Sequence, residues 1–346
     1  MVARMYSLVL AGGFATRLWP ITKDYPKPLL RLGKKRIIEF ALEGIANMKR
    51  IHTIFISSNA AFRDAFKTWM ETSEYGKKIK LILEPSMMEE EKLGAIRGIQ
   101  YDIEQISKDF GIEDLLILAG DNVFSLDLEK MVEMYEKKKA PIVAVRHIDS
   151  LEEAKRFAVV ETDEEDRIID FKEKPKKPRT NLVATAIYML PKDCVKYISI
   201  YLAEGGNPDA PGFFFEWLTK KLDVYAYKFS GYWFDIGTQR GYFEALTTTM
   251  RDTYISKTAN IEGEIIHPVY IGENVRVDDK SRVGPWVVLE NGAEVYASQI
   301  EKSLVMENTI IKGAKLTNVM VGKKAKINNI EIENSILASY TKINLE

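Results

Sequence analysis

From about Tyr254 onward, apolar residues return at every sixth position: Ile265, Ile271, Val277, Val283, Leu289 and Val295. Small or branched residues (Val275, Ser281, Val287, Ala293) occupy intervening positions, and turn-forming Gly, Asp or Asn follows many of them. A six-residue period marks a parallel β-helix, whose coils stack to bury one continuous core. The phase slips near Ile300, and shorter stretches follow at Val305, Ile311, Val321 and Ile327. The expectation is a left-handed parallel β-helix over residues 253–346. Such repeats often accompany acyl transfer, a chemistry that calls for a histidine base. His267 is the sole histidine of this region, and His267-Pro268 reads as a turn between coils.

The preceding stretch has another rhythm. Apolar runs at Ser7–Ala11, Thr53–Ser57, Ile79–Leu83, Leu115–Leu118 and Pro141–Val145 read as buried strands. Helically spaced segments separate them, at Ile37–Met48, Ala60–Met70, Ala95–Ile106 and Leu128–Lys139. Strands alternating with helices predict a Rossmann-like, doubly wound, mostly parallel α/β sheet, with ligands at the carboxyl ends of its strands. At 346 residues the chain is long for one core, so two domains are expected, 1–252 and 253–346.

The charge balance, 49 Lys+Arg against 50 Asp+Glu, argues against a general binder of nucleic acid or membrane surfaces. No apolar run approaches the roughly 20 residues of a membrane span, and no secretory signal precedes the first strand. Cys194 is the only cysteine, so no internal disulfide can form, and a cytoplasmic setting is expected.

The stretch from Leu8 to Leu30 concentrates the chemistry. Gly12 and Gly13 follow the first strand and leave the backbone open to a ligand. Backbone N–H groups leaving a strand's carboxyl end can point at phosphates. Arg17 adds a fixed cationic fork, and Lys27, between Pro26 and Pro28, a point charge on a segment expected to be extended. Together these residues predict a phosphate site. Asp121 follows the strand Leu115–Leu118 and is a natural Mg²⁺ ligand; the competing reading is an Asx-turn.

These residues resemble the sugar-1-phosphate nucleotidylyltransferases, whose first motif runs Gly-Gly-x-Gly-Thr-Arg-Leu-x-Pro and then Pro-Lys-Pro. The match here is Gly12-Gly13-Phe14-Ala15-Thr16-Arg17-Leu18-Trp19-Pro20 and Pro26-Lys27-Pro28, with Ala15 in place of glycine. Later segments resemble the family in turn: Glu84-Pro85 through Gly94-Ala95, Gly120-Asp121, Arg156-Phe157-Ala158-Val159-Val160-Glu161, Glu173-Lys174-Pro175, Thr185-Ala186-Ile187-Tyr188 and Trp233-Phe234-Asp235-Ile236-Gly237-Thr238. Ala158 and Ala186 again stand where the family has glycine.

The resemblance implies roles. Arg17, Lys27 and Lys174 would be catalytic, with Arg17 on the departing pyrophosphate, Lys27 near the α-phosphate and Lys174 on the sugar phosphate. Leu10, Ala11, Gly12, Gly13, Thr16, Glu84 and Gly94 would contact the nucleotide, and Asn122, Ala158, Glu173 and Thr185 the sugar. Asp121 and Asp235 would hold Mg²⁺. Glu89–Glu91 read as a solvated loop or helix start. The implied reaction joins a nucleoside triphosphate to a sugar 1-phosphate and releases pyrophosphate, with dTTP or UTP and glucose 1-phosphate as the best-matching substrates. The attacking phosphate has a second pKa of about 6, so it is ionised without a general base. This suits a chain with 3 histidines. Alternatives are a mannose-1-phosphate guanylyltransferase, a catalytically silent nucleotide-sugar-binding regulatory subunit, and a bifunctional enzyme whose tail transfers an acyl group. The tail resembles those through which such enzymes form oligomers or are regulated, so a homo-oligomer is expected.

Overall fold

A computed structural model describes residues 4–344, so the outermost residues of the two expected domains, 1–3 and 345–346, lie outside the described part. The chain forms two compact units. One comprises the described residues up to Gly13 together with Phe40–Trp233; the other comprises Phe14–Glu39 together with Phe234 onward.

The first unit is built on a nine-stranded mixed sheet. Its strands are β1 (Met5–Leu10), β2 (Ile51–Asn59), β3 (Ile79–Glu84), β4 (Asp114–Ala119), β5 (Ile142–His147), β6 (Ala158–Thr162), β7 (Ile168–Glu173), β8 (Leu182–Leu190) and β9 (Tyr225–Lys228). The helices around it include α1 (Ile37–Ala46), α2 (Arg63–Thr72), α3 (Ala95–Asp109), α4 (Leu128–Lys138), α5 (Lys196–Ala203) and α6 (Pro211–Leu218). The order β3-β2-β1-β4 is parallel throughout. β8 then runs antiparallel beside β4, pairs with β5 and β6, and β7 closes the edge. In the centre, Leu10 sits between Ser57 of β2 and Ala119 of β4, so β1 and β4 end at one level and β2 runs two residues further. Chain order reverses direction across the sheet at β1, where its neighbours are β2 on one side and β4 on the other. This is the crevice where open α/β sheets bind ligands.

Sequence dictates these elements. β1 is buried at every position but its last, as an apolar run covered on both faces requires. α3 begins after Gly94, whose φ of 84° suits glycine, and buries Ile96, Ile99, Ile103 and Ile106 along one stripe. Asp102 lies on that same buried stripe.

In the second unit, short strands from residue 254 on form three parallel sheets of six, six and five strands, the faces of the expected left-handed β-helix. Val277, Val283, Leu289, Val295, Ile300, Ile311, Leu316 and Ile327 point into its core. The phase slip has a geometric cause, since the coil shortens. Arg276 pairs with Glu294, 18 residues on. Arg282 pairs with Gln299, 17 on, and Gln299 with Lys315, 16 on. Each corner hydroxyl is engaged along the stack: Ser281 Oγ accepts from Ser298 N at 3.1 Å, and Ser298 Oγ from Ala314 N at 3.0 Å.

Residues 14–39 belong to this unit and carry two of the expected phosphate cations. Arg31 lies 4.5 Å from the Tyr270 ring and 3.9 Å from the Glu290 carboxylate of the β-helix. Tyr242, on α7 (Gln239–Thr249), donates its hydroxyl to Arg31 O.

Candidate active site

At the carboxyl ends of β1, β3 and β4 a cavity of about 350 Å³ opens in the first unit. Leu10, Gly12, Gly13, Glu84, Gly94 and Asp121, all expected from the sequence, line it. A Cβ on Gly12 would be crowded, 3.2 Å from Asn59 Oδ1 and 3.3 Å from Glu84 Oε1. Nothing stands within 4 Å of the corresponding point on Gly13, so its backbone is open to a ligand. Ala11 is buried beneath them, its N–H bonded to Ser57 O at 2.7 Å.

Glu84 ends β3 with 9% of its surface exposed. Burial pushes its carboxyl above the usual range, partly opposed by a hydrogen bond from Ser57 Oγ to Oε1 at 3.2 Å. Gly98 on α3 leaves room for this carboxylate, since a Cβ there would fall 2.7 Å from Glu84 Oε1. The segment between β3 and α3 closes on itself. Glu91 accepts from Met87 N at 2.8 Å and from Ser86 Oγ through its backbone carbonyl at 3.1 Å, and Glu89–Glu91 form one 3-10 turn.

Asp121 follows β4. Asn122 Nδ2 donates to Asp121 Oδ1 at 2.9 Å, and Asn122 Oδ1 accepts from Trp233 Nε1 at 2.6 Å. Asn122 is thus a buried bracket that fixes the aspartate. Glu173, at the end of β7, rests against the backbone of Gly212 on α6; burial raises its carboxyl, and the neighbouring Lys174 charge, 3.5 Å away, partly restores it. Lys174 itself is exposed and holds φ at 45°. Ala158 lies beside this group, its Cβ 3.3 Å from the point a Gly212 side chain would occupy. Thr185 is fully buried and donates to Ala144 O at 3.0 Å, so its hydroxyl is engaged inside the sheet; its neighbour Ala186 is the residue on the cavity wall.

The remaining expected residues lie in the second unit. Thr16 and Arg17 form a 3-10 turn with Leu18, entered through Ala15 at φ 50°, ψ 47°. That left-handed conformation costs an alanine roughly 1–2 kcal/mol and a glycine far less. Ala186 likewise adopts φ 56°. Two of the three alanines that replace family glycines therefore stand at positions whose backbone favours glycine. The Arg17 guanidinium lies over Gly237, where a Cβ would meet Nη2 at 2.6 Å, which joins Arg17 to the segment that carries Asp235. Lys27 is 8% exposed. The expected extended segment ends at Pro26, and Lys27–Leu29 turn as a 3-10 helix, closed by Leu29 N to Pro26 O and Leu30 N to Lys27 O, each at 3.0 Å. Proline's φ near −65° serves an extended chain and a 3-10 turn equally well, so the two prolines do not select between them.

Sequence reasoning missed Ser57, Asn59, Tyr188 and Asp209 around the cavity, and Asp102 behind it. The signal available was the polar run Ser57-Ser58-Asn59 directly after an apolar strand, all three buried.

Among the described residues no group of three or more His, Cys, Asp or Glu is placed to hold a metal. A single bracketed carboxylate at a strand end is instead the donor suited to Mg²⁺, which takes one or two protein carboxylates beside phosphate and water.

The family model for nucleotidyl transferases matches residues 6–252. A glucose-1-phosphate adenylyltransferase from Fervidobacterium nodosum is 29% identical over 368 aligned positions, covering 97% of this chain and 83% of its own. Among solved structures, a Bacillus anthracis protein described as a glucose-1-phosphate thymidylyltransferase superposes with a TM-score of 0.61 at 24% identity, over 73% of this chain and 98% of its own. A UDP-glucose pyrophosphorylase in complex with UDP-glucose gives 0.59 at 24% identity, over 71% and 98%. At that identity the two structures show a shared fold.

Proposed function

The chain belongs to the nucleotidyl transferase family, and from that premise we propose that it makes a nucleotide-sugar and pyrophosphate from a nucleoside triphosphate and a sugar 1-phosphate. The observation that carries this reading is the cavity at the ends of β1, β3 and β4, lined by Gly12 and the open Gly13 backbone on one side and by Asp121 on another. We take glucose 1-phosphate as the sugar and dTTP or UTP as the nucleotide. ATP is the second reading, favoured by the name of the Fervidobacterium relative.

The reaction is a displacement at the α-phosphorus. An ionised oxygen of the sugar phosphate forms the new P–O bond as the bond to the β-phosphate bridge breaks, and the electron pair leaves with pyrophosphate. No proton must be removed from the nucleophile, so the protein's part is positioning and charge neutralisation. Gly12 and Gly13 offer backbone donors to the triphosphate. Arg17, braced on Gly237, takes the developing charge on pyrophosphate; Lys27 meets the α-phosphate and Lys174 the sugar phosphate. Glu173 and Asn122 bound the sugar's side of the site, where the backbone of Ala158 and Thr185 supplies further contacts. Asp121 and Asp235 are the residues that would hold Mg²⁺, which when bound neutralises triphosphate charge. The β-helix is assigned to oligomer contacts, and the protein to the cytoplasm; no helix among the described residues is long and apolar enough to cross a membrane.

The test is pyrophosphate release with Mg²⁺ across dTTP, UTP, ATP, GTP and CTP, each crossed with glucose, mannose and amino-sugar 1-phosphates. Release that requires both substrates is expected, fastest with glucose 1-phosphate. A folded protein that binds nucleotide yet releases nothing in any combination would instead be a regulatory subunit.

A further inference from the structure

Lys27, the cation that the proposed reaction sets against the α-phosphate, stands on a turn of three residues, Lys27–Leu29. A 3-10 turn so short contributes little stability of its own, and its shape is set by what surrounds it. Its two internal bonds engage Pro26 O and Lys27 O, each at 3.0 Å, and leave the Leu29 carbonyl to partners outside the turn.

Two side chains meet on that carbonyl. Arg36 Nη1 donates to Leu29 O at 2.6 Å and to Tyr25 Oη at 2.7 Å. Tyr25 Oη donates in turn to Leu29 O at 3.3 Å. Donors and acceptors match in number. Nη1 carries two N–H groups and directs one to each acceptor, the phenol gives its single proton while accepting another, and the carbonyl takes one bond on each lone pair. The guanidinium bond is charge-assisted and short, which makes it the stronger of the two on Leu29 O.

This clamp is anchored at both ends within the second unit. Arg36 pairs with Arg31 in a small hairpin turned through Gly33 at φ 71°. Arg31 in turn rests between the Tyr270 ring and the Glu290 carboxylate. On the other side, Lys323 Nζ lies 4.2 Å from the Tyr25 ring and 3.2 Å from Glu307 Oε2. The reaction as assigned above makes no use of Tyr25 or Arg36.

We propose that Arg36, acting with Tyr25, is a positioning residue for catalysis: it holds the Leu29 carbonyl, and thereby the turn from which Lys27 reaches the α-phosphate. This rests on the reading of Lys27 as a catalytic cation. Lys27 is buried, so its side chain cannot swing through solvent to make good a shift of its backbone. The position of the turn becomes the position of the charge. Arg36 therefore acts on kcat through Lys27, and the triphosphate does not touch it.

The experiment uses the full-length protein and the variants Arg36→Lys, Tyr25→Phe and Lys27→Ala, with circular dichroism to establish that each is folded. Lysine keeps the charge of Arg36 but lacks the planar fork that serves two acceptors. In Arg36→Lys, kcat should fall about ten- to hundredfold, the cost of a small misplacement of a catalytic group, while KM for the triphosphate stays within about twofold. Tyr25→Phe keeps the ring beneath Lys323 and loses one donor, so kcat should fall less. The decisive comparison repeats Arg36→Lys in a Lys27→Ala background, followed as slow single turnovers. There it should cost nothing further, because the group it positions is gone. A merely structural Arg36 would lower kcat by the same factor in both backgrounds. Tyr25→Phe carries the same double-mutant cycle should Arg36→Lys fail to fold. A kcat in Arg36→Lys equal to that of the wild type, or equal losses in the two backgrounds, overturns the proposal. A Lys27→Ala protein as fast as the wild type overturns the catalytic reading of Lys27 itself, and the proposal with it.

Discussion

The two units differ in how they bond the hydroxyls and other polar side chains they bury. In the β-helix the buried hydroxyls form a closed ladder. Ser303 Oγ accepts from Val319 N at 3.1 Å, and Thr309 Oγ1 donates to Gly322 O at 2.9 Å while accepting from Ala325 N at 3.3 Å. In the first unit Ser7 Oγ, Asn59 Oδ1 and both oxygens of Asp102 are buried without a hydrogen-bond partner, while among the described residues of the β-helix the unsatisfied atoms are the carboxylate Oε1 of Glu290 and the amide Oδ1 of Asn318, not hydroxyls. A satisfied buried polar group stabilises a corner; an unsatisfied one at a cavity is poised for a ligand or a proton. Buried polarity alone therefore does not mark a site.

If that contrast is right, substitutions at the phosphate-facing charges and in the coils of the β-helix should fail differently. The largest effect is expected at the phosphate-facing charges: Asp121→Asn or Lys27→Ala should lower kcat by about a thousandfold or more, the scale of losing a group aimed at developing charge, with an unchanged melting curve. Comparable rates in either variant would break the contrast from the catalytic side. Gly237→Ala comes next. Its new Cβ displaces the Arg17 guanidinium from a point 2.6 Å away, and a misplacement on that scale should cost about a hundredfold in kcat/KM, again with little change in stability.

In the β-helix the order reverses. Leu316 is fully buried in the coil core, so Leu316→Ala should destabilise by about 2–5 kcal/mol, read from denaturant unfolding of that unit, while kcat below the transition stays near the wild-type value. The smallest effect is expected at Ala186. Changing it to glycine relieves a left-handed alanine, and the strain of roughly 1 kcal/mol is offset in part by the greater freedom of glycine in the unfolded chain. A net gain of about 0.5 kcal/mol is expected, and a loss of stability would show that the alanine methyl packs better than the backbone is strained.

Much of this was legible in the sequence because the governing signals are local. The alternation of apolar runs and helical stripes placed the parallel strands, and the six-residue period placed the coils. Gly12-Gly13 and Asp121 could be picked out because strand ends are where a doubly wound sheet presents its residues, and Glu84 and Gly94 through the resemblance of their segment to the family. What escaped depends on distance in the chain. Asp102 reads as an ordinary helix position until α3 is laid against β2 and β3, and Ser57 acquires meaning only beside Glu84. The shortening of the coil from 18 to 16 residues appears in sequence merely as a lost phase. Lys27 turns where two prolines suggested extension, because the fixed proline φ is compatible with both shapes. The clustering of Phe14–Glu39 with the β-helix rests on contacts such as Arg31 with Tyr270 and Glu290, which no local pattern announces.

The central claim is that triphosphate and sugar phosphate react directly, with no nucleotidylated protein between them. Exchange of labelled pyrophosphate into the nucleoside triphosphate, with Mg²⁺ present and sugar phosphate absent, tests it most directly. No exchange is predicted until the matching nucleotide-sugar is supplied, at which point label should enter the triphosphate. Exchange without any sugar would reveal a covalent intermediate and contradict the account.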